Sequence, residues 1–529
     1  MSLGNRYSQH QFSKVPDISR NRSRFDRSYG RKTTFQFDYL VPIQCQEILP
    51  GDTVHQNLSF FGRLATQKVP TMDNMYIDFF WFFVPNRLVW DNWEEFITGG
   101  GPVPEPGLTP VVPVIQPGPT TFSVGSIFDY FGMPVQVSNV DLISMPLRGY
   151  NLIFNEWFRA QYLQDEVAVP KGDGNDSPST FTLLKRGKRH DYFTSANPWP
   201  QRGADIPIPM GGVFDVESSG ARPTMRAAST GTTEYPASLI SPTSALAGIG
   251  YGGANSDMSW GSETGLEVDL SLLNASGDLP TINDLRLAFQ IQALSEVDAR
   301  GGSRYVEQLW SHFGVVSPDF RLQRPEYLGG GQIRVISHPV AQTSQTSGSN
   351  PQAQLASFAT ASGSRIGFTK SFVEHGYLIG MMSARSDLTY QQGLDRMWSR
   401  RSRFDWFFPE LQDIGEQAIL NKEINLLGAS SDQEIFGFAE RYSEYKFMPS
   451  EITGEFRSVY AQSLDYWHLA QEFAPTVTTL DDQFIQSDTP IERVLAVTDG
   501  PHMIADMWFD LKHSRPMKAY AVPQSLGRL

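Results

Sequence analysis

The period of the apolar positions changes several times along the chain, and each change marks an element. Phe35, Phe37, Tyr39, Val41 and Ile43 alternate with Gln36, Asp38, Leu40 and Pro42, which predicts a half-buried strand over residues 35–43. Pro50, Gly51 and Asp52 predict a turn before a second apolar run at 58–61. Residues 75–84 are almost continuously aromatic or aliphatic and end at Pro85, so they predict a strand covered on both faces. Asp78 interrupts this run, which is also far too short to span a bilayer. Aromatic residues continue through Trp90, Trp93 and Phe96. A strand this apolar must lie between layers of one protein or against a neighbouring subunit.

Helical spacing is less frequent. Phe154, Trp157, Phe158 and Tyr162 predict a helix over 151–163. Thr281 and Asp284 resemble a capping box, and Leu285, Phe289, Ala293 and Val297 follow at intervals of four until Gly301 and Gly302 stop the helix. A shorter helix is expected over 303–313, with Leu309 and Phe313 inward and Gly314 as its exit. Strand-like patterns return at 333–336, at 377–381 and in the last hundred residues. Residues 98–120 are rich in Gly and Pro and read as a long loop, whereas 203–280 are rich in Gly, Ser, Ala and Thr and read as an inserted surface excursion. The polar stretch 341–364 reads as another surface loop. Many short strands, long connections and few helices are the pattern of an elaborated antiparallel β-sandwich or jelly roll.

Charge divides the chain. Residues 1–34 hold eight Lys or Arg and two acids, so that +6 sits on this segment and −20 on the remainder of a chain whose net charge is −14. A basic arm on an acidic body predicts different partners for the two surfaces. Arg20, Arg22, Arg24, Arg27, Arg31 and Lys32 are the candidate phosphate contacts of that arm. One cysteine, Cys45, excludes an internal disulfide and suits assembly in a reducing cytoplasm. No apolar stretch predicts membrane insertion, and the first residues carry no apolar signal core.

Candidate chemistry is sparse. Nine histidines stand singly, without Cys partners or an i, i+4 pair, so no metal site is expected. Gly248, Gly250 and Gly253 satisfy a G-x-G-x-x-G pattern, but Ser and Pro precede it and polar residues follow, so loop glycines rather than a dinucleotide site are expected. No catalytic constellation is recognisable, and no cofactor is expected. Arg400, Arg401 and Arg403 interleave with aromatic residues, a composition suited to stacking on unpaired bases and also enriched at subunit interfaces. The weight falls on packing, with Trp90, Trp93, Phe96, Trp398, Trp406 and Phe407 as core or interface anchors. The basic run 185–190 reads as a solvated turn.

Residues 70–96, from Pro70-Thr-Met-Asp-Asn-Met-Tyr-Ile-Asp-Phe-Phe-Trp-Phe-Phe-Val84 to Trp93-Glu-Glu-Phe96, closely resemble the major capsid proteins of gokushoviruses. These are small Microviridae phages with single-stranded DNA. Arg24-Phe-Asp-Arg-Ser-Tyr-Gly-Arg31, Leu49-Pro-Gly-Asp-Thr53, His190-Asp-Tyr-Phe-Thr-Ser-Ala-Asn-Pro-Trp-Pro-Gln201, Asp298-Ala-Arg-Gly-Gly-Ser-Arg-Tyr305, Leu322-Gln-Arg-Pro-Glu-Tyr-Leu-Gly-Gly330 and Asp387-Leu-Thr-Tyr-Gln-Gln-Gly393 extend the likeness in order; only about 203–280 lacks a counterpart. The resemblance implies an eight-stranded antiparallel jelly roll with long inserted loops, and a coat subunit that is no enzyme. It implies a sixty-copy T=1 icosahedral shell, built through pentameric intermediates around circular single-stranded DNA. Internal scaffolding, DNA-packaging and pilot proteins and a bacterial surface receptor would be its partners, with assembly in the host cytoplasm and residence in the virion. The expected organisation is an arm at 1–34, a shell domain at 35–202 and 281–529, and a surface protrusion at 203–280 near the three-fold axes. A secreted-type glycoside hydrolase or lectin is the alternative for an acidic, Trp-rich β protein.

Overall fold

The computed structural model describes residues 21–98, 110–116, 122–137, 140–204, 206, 282–316, 319, 321–341, 355–474 and 478–520, with the backbone of seven short strands between 216 and 268. The chain divides into two units, residues 1–200 with 301–529, and residues 201–300.

Nine antiparallel strands build the first unit's main sheet: β1 (Ser23–Asp26), β2 (Tyr29–Phe35), β3 (Val41–Ile48), β4 (Thr53–Leu64), β5 (Met75–Pro85), β6 (Glu326–Ala341), β7 (Leu355–Ser371), β8 (Gly376–Ser386) and β9 (Met503–Arg515). Eight follow the order β1-β9-β4-β7-β6-β5-β8-β3, and β2 pairs with β9 beside β1. The sheet curls because β6 serves both layers: 326–335 pair with β5, and 336–341 pair with β7. The result is a jelly roll of the viral-capsid type, as expected.

Its interior follows from strand period. Along β9, Met503, Ala505, Met507, Phe509 and Leu511 point inward while the alternate residues do not. They meet Val54, Leu58, Phe60 and Leu64 of β4, and Met75, Ile77, Phe79, Trp81 and Phe83 of β5, in one core. The other face of β5 is also covered. Phe82 and Val84 pack with Trp90, Leu147, Tyr150 and Ile153 in a second core, which includes helix α1 (Met145–Ile153). Thus β5 has the doubly covered character that its composition predicts, and each such aromatic contributes about 2–3 kcal/mol by burial. Inside the barrel Trp81 Nε1 donates to Gln44 Oε1 at 2.9 Å, and Gln44 and Gln56 exchange amide hydrogen bonds at 2.7 Å, so β3, β4 and β5 share a satisfied polar link.

Several expectations are corrected. The alternation at 35–43 is split between β2 and β3 by a corner at Asp38, whose φ is 70° and whose carboxylate accepts from Ser487 Oγ, Thr489 N and Thr489 Oγ1. Residues 23–34, read as part of a flexible arm, fall largely in strands β1 and β2; residues 1–20 lie outside the described residues. The helix expected over 151–163 begins at Met145 and ends as a π-helical turn, Phe154–Phe158, where the Asn151 and Asn155 amides turn to the backbone of Ala168 and Val167. Of the polar stretch 341–364, residues 355–364 belong to strand β7, and 342–354 lie outside the described residues. The run 185–190 is sewn into the fold rather than solvated. Lys185 pairs with Asp488, Arg186 pairs with Asp78, and Lys188 sits over Phe484, where burial pushes its pKa down to about 8.

Of the Gly/Pro-rich loop, Val114–Ile115 pairs with Leu142–Ile143 and Asn175–Asp176, while 99–109 and 117–121 lie outside the described residues. The second unit holds short antiparallel pairs, including Gly248–Ile249 with Leu239–Ile240, and helix α2 (Ile282–Gly301). Residues 250–253 of the glycine pattern lie outside the described residues. Helix α2 starts and stops as expected, and its residues Leu285, Phe289 and Val297 are exposed. Helix α3 (Tyr305–Phe313) ends at Gly314 with φ 64°, as expected, but Phe313 is exposed instead of inward.

Candidate functional site

The most concentrated chemistry lies in the irregular segment 395–408, whose backbone is held by its own side chains. Asp395 caps the turn Arg396–Ser399 by accepting from Met397 N at 2.8 Å. Asp405 accepts from Arg401 N at 2.8 Å and Ser402 N at 2.7 Å, and these two donors hold its carboxyl below the usual range. Arg396 donates to Ala418 O at 2.8 Å and to Glu423 Oε1 at 3.1 Å. Glu423 is buried and also accepts from Tyr192 OH at 3.1 Å; burial raises its pKa, opposed by Arg396. Arg400 reaches Glu444 at 3.5 Å, and its guanidinium lies 4.4 Å from the centre of the Tyr445 ring.

This internal satisfaction leaves the rings outside. Trp398 is 71% exposed, Trp406 49% and Phe407 45%, although Tyr442 OH donates to Trp406 O at 3.0 Å and Phe407 meets Tyr442 edge-on at 5.1 Å. Arg401 and Arg403 are exposed, the latter 5.4 Å from the Phe408 ring centre. A folded loop with satisfied polar groups and exposed tryptophans is a surface built for contact.

The other candidates are placed differently. Trp90 is fully buried and donates to Asp173 Oδ1 at 2.6 Å; Trp93 packs beside it, and Phe96 is 40% exposed. Arg20 lies outside the described residues, and Arg22, Arg24 and Arg27 are exposed along β1. Arg31 is spent on the fold: Nη1 donates to Ile43 O at 2.8 Å and Nη2 to Tyr130 O. Lys32 stands 3.4 Å from Asp506 in a solvent-exposed pair of small energetic weight. The structure therefore does not bring the two arginine groups into one described site.

Sequence reasoning missed Phe61 of β4 and Ile504 and Trp508 of β9, each about half exposed on the outward face of the barrel. Their signal was present, because large apolar side chains occupy outward positions of alternating strands where polar residues are the norm. Among the described residues no group of three or more His, Cys, Asp or Glu is placed to hold a metal, and no helix is long and apolar enough to cross a membrane. The carboxylates around Arg396 are acceptors for structural donors.

A curled antiparallel barrel with long inserted loops and exposed aromatic contact surfaces belongs to the class of viral coat subunits. Comparison with known proteins agrees along the whole length. The family model described as "Capsid protein (F protein)" matches residues 13–525. The chain is 50% identical over 542 residues to capsid protein VP1 of Bdellovibrio phage phiMH2K, covering 100% of both. It is 40% identical over 581 residues to capsid protein VP1 of Chlamydia phage 1 and 34% over 543 residues to that of Spiroplasma virus 4, covering 97% of each chain in both cases. The chain belongs to the F-protein family of phage capsid proteins. It is a structural subunit of a Microviridae-type virion, which self-associates into a shell, and not an enzyme.

Proposed function

We propose that sixty copies close into a T=1 icosahedral shell around a circular single-stranded DNA genome, with the basic N-terminal end directed inward. The observation that carries the assembly reading is the loop 395–408, folded and satisfied within one chain yet presenting Trp398, Trp406 and Phe407 to solvent. A neighbouring copy is the partner that such a patch fits, through heterologous contacts that close on themselves. Phe96 is a second anchor of the same kind, whereas Trp90 serves the core. In this reading the arm contributes Arg20, Arg22 and Arg24 to DNA, together with Arg401 and Arg403 where they face the interior.

Residues 203–280 would form a protrusion near the three-fold axes and contribute to attachment at a bacterial surface receptor. Pentameric intermediates, internal scaffolding, DNA-packaging and pilot proteins, and assembly in the host cytoplasm complete the proposal. Size-exclusion chromatography with electron microscopy tests it: the full chain, co-expressed with its scaffold, should give pentamer-sized species and closed shells. Trp398→Asp should leave a folded chain that does not close. A chain that remains monomeric at high concentration, or a Trp398→Asp variant that still closes shells, would overturn the assembly reading.

A further inference from the structure

We propose that the cavity beside the arginine–aromatic loop binds a phosphate-type oxyanion. This polar cavity of about 290 Å³ is lined by four cations, Arg396, Arg400, Lys422 and Arg441, with Ser399, Gln417 and Gln433 among the remaining lining residues. Only two carboxylates line it, and both already accept several hydrogen bonds. Asp405 takes the amides of Arg401 and Ser402, and Glu423 takes Arg396, Tyr192 and Leu420 N.

The donors are not matched in the same way. Among the described residues the Lys422 ammonium has no ion pair or hydrogen bond, while Nε of Arg400 and Nε of Arg441 are enclosed behind the cavity wall without a hydrogen-bond partner. Arg400 is held in place by Glu444 and the Tyr445 ring, and Arg441 by Phe404 O at 3.3 Å and the Tyr442 ring. Four cations converge on the cavity against two carboxylates whose oxygens are already engaged, and a tetrahedral oxyanion supplies several acceptors and the missing negative charge at once. The surplus is cationic and the donors are pre-positioned, so the ligand class is phosphate rather than a cation or a neutral sugar. A free phosphate ion and a phosphodiester of single-stranded DNA share that chemistry. Phe404 lines the cavity and Trp398 stands exposed on the same loop, so a nucleotide base would find rings nearby. The site does not depend on shell closure.

Titration of the full-length unassembled chain with inorganic phosphate, followed by calorimetry, should give one saturable site per chain. Lys422→Gln and Arg441→Gln should each weaken it by roughly tenfold. Lys446→Gln, which removes a surface cation paired with Glu440 outside the cavity, should leave it unchanged. Because the Lys422 ammonium has no partner to lose among the described residues, its variant reads the site even if the arginine variant fails to fold. A fluorescent oligothymidylate forms the second arm. Binding that phosphate displaces assigns the site to the phosphodiester, and phosphate binding without oligonucleotide binding assigns it to the free ion. Absence of saturable phosphate binding, or equal weakening by Lys446→Gln, would overturn the proposal. Shell formation, read separately by electron microscopy, reports on assembly alone.

Discussion

Asp78 is the one charged residue in the most apolar strand of the barrel, and its removal tests how that strand is held. It lies on the outer face of β5, where one carboxylate oxygen, Oδ2, accepts both from Arg186 Nη1 and from Arg385 Nε, the latter at 2.8 Å. The three side chains are buried to 9%, 18% and 5% exposure, respectively. Each guanidinium also covers a ring of the same strand, Arg186 over Phe80 at 5.1 Å and Arg385 over Tyr76 at 4.9 Å. The carboxylate therefore permits two arginines to shield the end of an aromatic strand.

Asp78→Ala leaves both guanidinium groups without their shared acceptor. Arg385 retains Asp387 at 3.2 Å, but Arg186 loses its only ion-pair partner among the described residues. Burial already draws the Arg186 pKa down, so its charge is not offset elsewhere. Breaking one side of a buried pair costs about 3–5 kcal/mol, and the remaining Asp387 contact places the expected loss toward the lower end. Replacing all three by leucine should recover most of this loss, because the desolvation of three charges is removed with their attraction. Urea unfolding of the unassembled chain, followed by tryptophan fluorescence, measures both. A loss below about 1 kcal/mol for Asp78→Ala would refute the argument that the carboxylate holds the arginines.

Other consequences are tested more simply. Trp81→Ala should cost about 3–5 kcal/mol in the same unfolding assay, because it opens the barrel core and removes the indole donor to Gln44 Oε1, while the Gln44–Gln56 pair keeps its two mutual hydrogen bonds. Burial pushes the Cys45 thiol up to about 12, so at pH 8 it stays protonated; iodoacetamide should label it slowly in the folded chain and rapidly in urea. His513 is fully buried with both ring nitrogens unpartnered among the described residues, and burial, then Arg515 and Arg27, pushes its pKa down to about 3. Below an unfolded-state value of about 6.5 the unfolded chain binds a proton that the fold refuses, so this group lowers stability as pH falls from about 6.5 toward 3 and has no effect above. His513→Phe should flatten that limb of urea midpoint against pH. In the arm, Arg6, Lys14, Arg20, Arg22 and Arg24 offer about five phosphate contacts, which predicts a log–log salt slope near −3.5 for a peptide of residues 1–26 on single-stranded DNA.

How far the fold was legible depends on whether a residue's partner lies nearby in sequence. Strand β5 was readable because its cover on both faces is written in its own composition. The corner at Asp38 was not, because the groups that hold its left-handed backbone, Ser487 and Thr489, come some 450 residues later. A separation of 108 residues likewise hid Arg186, which reads as a loop cation until Asp78 is placed beside it. For the candidate site, the Arg–aromatic composition of 396–408 was visible, but composition is equally compatible with a core. Only the capping carboxylates Asp395 and Asp405 and the buried acceptors Glu423 and Glu444 turn the rings outward.

Strand β7 carries the argument one step further. Its Ser, Ala and Gly content reads as loop because small residues look like unburied ones. Yet a Cβ on Gly363 would stand 2.6 Å from the Ile333 side chain, and one on Gly367 would stand 1.9 Å from the Gln56 carbonyl oxygen. Ala359 and Ala361 are buried in the same core as Phe60, Phe79 and Trp81. The strand is small because the strands facing it are large, and a barrel lined by so many aromatic rings closes only if one wall yields the volume. Gly367→Ala should therefore disturb the β4–β7 pairing as severely as a large-to-small change in β5, although only the latter looks like core in the sequence.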